Sequence, residues 1–329
     1  MSAPLNGSAQ GRLVTVFGGS GFVGRQVVRA LARRGWRIRA AVRRPDLAGS
    51  LQPCGNPGQI AAVQANVRRE HAWSVERAIE GADAVVNLVG LLAEGGKQNF
   101  DDVMADGARL IAEKAKAAGL DRMVHVSAIG ADANGTAAYA RAKAAGEAAV
   151  LAILPNSVVL RPSVIFGPDD GFFNLLGFLA SLTPVMPLIG GGATRFQPVF
   201  VRDVAEAVAN AVEGGAKPGA VYELGGPEVK TFRECAEAVC AATHRKRPMV
   251  PLPFALAKFQ ARFLQLLPKP LLTVDQVELL KTDNVVSDAA VAEGRTLAGL
   301  GIEPTSIEAE LDAYLWRFRP HGQFDRKPA

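Results

Sequence analysis

The sequence predicts an α/β fold built on a doubly wound parallel sheet, with a smaller mixed lobe drawn from its C-terminal half. Three observations carry that expectation. Strand-like and helix-like segments alternate from residue 13 to residue 161, the pattern of a parallel sheet covered on both faces. The first apolar run, Val14-Thr-Val-Phe17, feeds directly into the glycine loop Gly18-Gly19-Ser20-Gly21-Phe22-Val23-Gly24, and a helical period follows at once. The alternation fails after Pro162, where proline, glycine and apolar clusters take over.

Residues 13–17 read as a strand and 22–34 as a helix closed by Gly35. Strands follow at 37–42 and 60–63, a helix at 70–80, a strand at 84–89 and a helix at 100–118 closed by Gly119. A strand at 123–127, a helix at 137–154 stopped by Pro155 and a strand at 158–161 complete the series. Glycine ends a helix because it accepts the left-handed conformation, and proline because it lacks an N–H. Right-handed crossovers between such units wind the sheet in both directions. Later, 203–212 reads as helix and 220–224 as strand. Residues 12–165 are therefore expected to form a Rossmann-type nucleotide-binding domain. Residues 166–329 form mainly a substrate or partner lobe, with 198–224 returning to the core.

Composition narrows the function classes. With 329 residues, 49% of them apolar, the chain can bury a large core without disulfides or metals. Cys54, Cys235 and Cys240 have no metal-ligand spacing and suit a reducing compartment. The net charge is +5, but the cations are scattered apart from short runs such as Arg245-Lys246-Arg247. No aromatic–basic interleaving points to nucleic acid. The first eleven residues lack the apolar stretch of a secretory signal and are too poor in arginine for a mitochondrial presequence. The expected location is cytoplasmic, with a peripheral place on the inner face of the cytoplasmic membrane, or the matrix side in a eukaryote. Residues 171–194 carry no charge, yet Pro184, Pro187 and Gly190–Gly192 break any spanning helix, so the stretch reads as a buried helix and loop. Residues 251–272 contain Phe254, Phe259, Phe263, Leu266 and Leu267 near Lys258, Arg262 and Lys269, and no acid. They read either as a roof over a cleft or as a surface for a membrane, an apolar ligand or a partner.

The glycine loop points to a bound dinucleotide. Gly18, Gly21 and Gly24 fit G-x-x-G-x-x-G, and Gly19, Gly21 and Gly24 fit G-x-G-x-x-G. Such glycines permit the tight bend, the approach of a pyrophosphate and close packing of helix on strand, with Ser20, Phe22 and Val23 completing the phosphate cradle at the helix N-terminus. At the end of the second strand an NAD site places a carboxylate for the ribose 2′-hydroxyl. This chain has Arg43-Arg44 there and no acid before Asp46. A guanidinium binds a 2′-phosphate, so NADP(H) is expected over NAD(H). Asn66, after the third strand, is placed for an adenine edge. Asn87 and Val89 end the fourth strand at the sheet edge where such folds bind ligands.

Tyr139 and Lys143 stand one helical turn apart and share a face. A lysine there lowers a phenol's pKa and holds a ribose, and the phenol can pass a proton to a carbonyl. Ser127 is placed to bond the same carbonyl. The order of these parts resembles the extended or atypical short-chain dehydrogenase/reductases, as do Arg161-Pro-Ser-Val-Ile-Phe-Gly-Pro168 and Gln197-Pro-Val-Phe-Val-Arg-Asp-Val204. Three further segments, His125-Val-Ser-Ala-Ile-Gly-Ala-Asp132, Leu279-Leu-Lys-Thr-Asp-Asn-Val-Val286 and Tyr314-Leu-Trp-Arg-Phe-Arg-Pro320, resemble the alpha subcomplex subunit 9 family of respiratory complex I and its bacterial relatives, over about residues 12–325. The resemblance implies tight NADPH binding, with Arg161 among the cofactor contacts, and a structural, assembly or quinone-metabolism role beside complex I or a quinone-biosynthesis assembly. It leaves open an active NADP-dependent oxidoreductase acting on an apolar carbonyl or alcohol, and a nucleotide-sensing regulator. Ser127 is followed by Ala-Ile-Gly where many active extended members carry a second serine.

Overall fold

The computed structural model describes residues 11–96, 98–267 and 270–324. Residues 1–10 and Lys269, both read above, lie outside them. The first half alternates as β1 (Leu13–Phe17), α1 (Phe22–Arg33), β2 (Arg37–Val42), β3 (Ile60–Gln64), α2 (Ala72–Ile79), β4 (Ala84–Asn87), α3 (Asp106–Ala117), β5 (Val124–Val126), α4 (Ala138–Ile153) and β6 (Val158–Pro162). The second half holds β7 (Ile165–Phe166), α5 (Phe173–Leu182), β8 (Met186–Ile189), β9 (Arg195–Phe196), β10 (Val199–Phe200), α6 (Val201–Val212) and β11 (Val221–Leu224). It continues through β12 (Lys230–Thr231), α7 (Phe232–Ala242), β13 (Met249–Leu252), α8 (Phe254–Leu264), α9 (Val274–Leu279), α10 (Asp288–Ala292) and α11 (Ile307–Leu315).

Seven strands form one parallel sheet in the order β11-β6-β5-β4-β1-β2-β3. Chain direction across the sheet reverses between β1 and β4, so the crevice beyond their carboxyl ends is where a doubly wound sheet takes its ligand. Strands such as β1 bury nearly every side chain, as a sheet covered on both faces requires. On one face Val27, Val28 and Leu31 of α1 meet Val204, Ala207 and Val208 of α6 over Val14 and Val16. On the other, α2, α3 and α4 cover Phe17, Ala41 and Val85.

Several boundaries differ from the sequence expectation for local reasons. β4 stops at Asn87, because the Asn87 side-chain oxygen accepts the Val89 N–H at 3.0 Å and turns the chain. The helix expected over 100–118 begins with a wider π turn at Asp101–Ala105 before α3. The uncharged stretch 171–194 forms α5, β8 and a glycine turn at 190–192. Among the described residues no helix is long and apolar enough to cross a membrane.

The second lobe has its own core, where Phe166, Phe173, Phe196, Phe200 and Phe232 gather around Met186 and Leu188. The Asn284 carboxamide accepts from the Ser163 hydroxyl at 2.7 Å and from the Val164 N–H at 3.0 Å, and donates to the Ile129 carbonyl at 3.0 Å. Asn284 thereby fastens the C-terminal segment 279–286 to the loop after β5 and the end of β6. The aromatic tail is tied in likewise: the Tyr314 hydroxyl donates to Asp170 at 2.8 Å, and the Arg317 guanidinium donates to the Pro168 carbonyl at 2.8 Å.

Candidate functional site

The glycine loop sits at the switch point between β1 and α1. Gly18 has φ of 81°, and its amide donates to the Ala41 carbonyl on β2 at 3.1 Å. The Gly21 amide returns to the Gly18 carbonyl at 3.0 Å, making the bend tight. A Cβ on Gly19 would stand 3.0 Å from the Ala40 methyl. A Cβ on Gly24 would overlap the Gly18 carbonyl oxygen and come within 2.7 Å of the Gly19 carbonyl. The loop is therefore close-packed against its own helix, which only glycine permits. Ser20, Phe22 and Val23 lie in the loop and the first turn of α1. That turn has no side-chain cap and no acid, so its N–H groups and the helix dipole are left for an anion. These residues fit the pyrophosphate of a dinucleotide.

At the end of β2, Arg43 is exposed and makes no ion pair or side-chain hydrogen bond among the described residues, whereas Arg44 is held by Asp46 at 2.7 Å. The pairing raises the Arg44 guanidinium above its usual range and lowers Asp46 below the usual carboxylate range. The Asn66 side-chain oxygen accepts the Arg68 N–H at 3.2 Å, shaping the turn after β3.

Tyr139 and Lys143 lie on α4, with the Lys143 ammonium 5.9 Å from the centre of the Tyr139 ring. Lys143 is buried and donates to the Val126 carbonyl at 3.2 Å, between His125 and Ser127. Its nitrogen lies 3.5 Å from where a Cβ on Gly90 would sit, which places it at the mouth after β4. Burial pushes the lysine down to about 8, against the pull of Glu147 one turn further along α4. Burial, aided by the charge of Asp275, pushes the Tyr139 phenol up to about 12. The Ser127 hydroxyl and the outer His125 nitrogen are shut off from solvent without a partner. Ser127 and Tyr139 make no hydrogen bond to one another.

Two expected cofactor residues have their side chains committed inside the protein. The Asn87 carboxamide spans from the Val89 N–H to the inner His125 nitrogen, 3.1 Å away. Burial and Lys143 hold that histidine neutral, near 3. Arg161 grips the buried Glu147 carboxylate with two nitrogens, at 2.9 and 2.6 Å. A buried carboxylate needs such a partner, and the end of β6 brings Arg161 directly over it.

The structure adds a residue that sequence reasoning missed. Asp275, in the first turn of α9, accepts the Ala138 N–H at 2.6 Å and the Tyr139 N–H at 3.2 Å. It caps α4, which has no side-chain cap of its own. The only signal in the sequence was its place in Thr273-Val-Asp-Gln276, a capping box for α9; nothing local pointed to a second helix.

Comparison with known proteins agrees with this geometry. Residues 18–166 match the NAD(P)H-binding family model. The chain is 36% identical over 327 residues, covering 96% of it and 80% of the relative, to the mitochondrial NADH dehydrogenase [ubiquinone] 1 alpha subcomplex subunit 9 of Arabidopsis thaliana. It is 35% identical over 193 residues, 59% of this chain and 58% of the other, to a ceramide reductase of Caulobacter vibrioides. The fold is shared with an NADPH-dependent quinone oxidoreductase of Escherichia coli solved with NADPH, at a TM-score of 0.69 and 20% identity, over 91% of this chain and 99% of that one. With its NAD(P)H-binding loop, its seven-stranded parallel sheet and this likeness along nearly its whole length, the chain belongs to the complex I alpha subcomplex subunit 9 family.

Proposed function

We propose that this protein holds NADP(H) as a resident nucleotide and works beside respiratory complex I or in quinone metabolism, in an assembly or stabilising role. The observation that carries the nucleotide choice is Arg43, exposed at the end of β2, where the first carboxylate after it, Asp46, is bonded to Arg44. The complex I setting rests on its relatives, which are themselves complex I subunits. A charge-assisted guanidinium–phosphate pair is worth about 2 kcal/mol. NADPH is therefore expected to raise the melting temperature well above NADH, and Arg43→Ala to remove the difference. Equal shifts from the two nucleotides in the unaltered protein would overturn this reading.

A second reading, an active NADP-dependent oxidoreductase, is favoured by the Tyr139–Lys143 pair. A bound nicotinamide exchanges hydride with a carbonyl or alcohol; Tyr139 would move the proton and Lys143 hold the ribose. Against it stands the Ser127 hydroxyl, closed off from solvent where a substrate oxygen would need it. We expect bound NADPH to stay reduced when mixed with a panel of aldehydes, ketones and quinones. Oxidation that Tyr139→Phe stops, with nucleotide binding intact, would replace the first reading with the second.

A further inference from the structure

Helix α8 is built the wrong way round for a helix that only packs on its own lobe. Its buried positions are the small Ala257 and Ala261, while Leu256, Phe259 and Phe263 face solvent. Those three stand at i, i+3 and i+7, so they form one stripe. Phe259 and Phe263 are 57% and 61% exposed, with ring centres 5.3 Å apart. The apolar surface continues past the helix through Leu266, 78% exposed, and Leu267 and Leu271. Phe254 turns inward, against Gly190. Leaving large apolar groups in water while alanines occupy the core forfeits burial energy, and an exposed apolar strip of this size marks a docking surface.

Charge selects the occupant. Between residues 245 and 274 the sequence has six lysines and arginines and not one carboxylate; of these, Lys258 is paired with Glu278, and Arg245 and Arg247 donate to the Phe318 and Ala180 carbonyls. Arg262 projects beside the phenylalanine stripe, exposed and without an ion pair, and Lys246 is also exposed. A protein partner for an aromatic stripe needs no such excess of one sign. An anionic lipid surface does, because it takes apolar side chains into the acyl boundary and draws cations to the headgroups. We infer that α8 and the segment after it form a monotopic membrane-binding face, with Leu256, Phe259, Phe263 and Leu266 inserting and Arg262 meeting anionic headgroups. This is independent of which nucleotide the protein holds. It also gives α9 a second place in the molecule: α9 packs on α8, with Lys258 bonded to Glu278 at 2.7 Å, and its Asp275 caps the helix that carries Tyr139 and Lys143. The membrane face is thus two helices from the candidate site.

The test is flotation of the full chain with vesicles of phosphatidylcholine alone or mixed with phosphatidylglycerol, at low and high salt. The protein should float with the mixed vesicles, more weakly as salt rises, and hardly at all with the neutral ones. The double variant Phe259→Glu, Phe263→Glu should stay in solution while its melting temperature still rises with NADPH. Arg262→Ala should weaken binding about fivefold, at about 1 kcal/mol per cation near the surface. A chain that ignores both vesicle types, or variants that float like the parent, would overturn the inference. So would sedimentation showing that the two phenylalanines instead hold two copies of the chain together.

Discussion

Replacing Gly24 with alanine is expected to cost the protein about 3 kcal/mol or more of stability and about a hundredfold in dinucleotide affinity. The added methyl would overlap the Gly18 carbonyl oxygen and stand 2.7 Å from both the carbonyl carbon and oxygen of Gly19. Those are backbone atoms of a loop pinned to β2, so no side chain can swing aside. Overpacking of a rigid site costs a few kcal/mol, and lifting α1 by about 1 Å takes its N-terminus away from the phosphates, where a misplacement of that size costs about a hundredfold. Chemical denaturation and nucleotide titration read the two effects separately. Gly49→Ala is the control, because a Cβ there meets nothing within 4 Å. A Gly24→Ala protein as stable and as tightly bound as its parent would show that the helix can lift freely.

The second large effect is expected at Arg161. Its guanidinium holds Glu147, whose side chain is 5% exposed, and stands 4.0 Å from Glu223. Arg161→Ala leaves a buried carboxylate without its cation, a loss of about 3–5 kcal/mol. Glu147→Leu combined with Arg161→Met removes both charges and should recover most of that loss, since a buried pair is often no better than apolar packing. Urea midpoints for the single and double variants measure the coupling. If Arg161→Ala cost less than about 1 kcal/mol, solvent reaches Glu147 and the pair is not structural.

The sheet was legible because its apolar strand runs alternate with helical periods, several of them closed by glycine or proline, and because the loop at 18–24 has one physical interpretation. The pairing of Tyr139 with Lys143 was legible from helical spacing alone. Asn87, Arg161 and Asn66 were not, although their positions at strand ends read clearly. Which atom such a side chain bonds depends on what the neighbouring strand brings opposite, and His125 and Glu147 come from elsewhere in the chain. The small strands of the second lobe left no trace, since two residues show no period and each pairs with a strand distant in the sequence. Residues 251–272 were read either as a roof over a cleft or as an outer surface, and which of the two holds depended on Ala257 and Ala261 taking the buried positions of α8.

The strand order also constrains how the protein is made. The glycine loop precedes its structural support in the chain: the helix that packs along α1 is α6, at residues 201–212, and the edge of the sheet is closed by β11 at residues 221–224. The cradle that holds the nucleotide has no finished support until that strand has been synthesised. Long-range pairings of this kind form late. A nascent chain therefore carries its binding loop well before it can use it, and a nucleotide can stabilise only a chain that already holds α6 and β11.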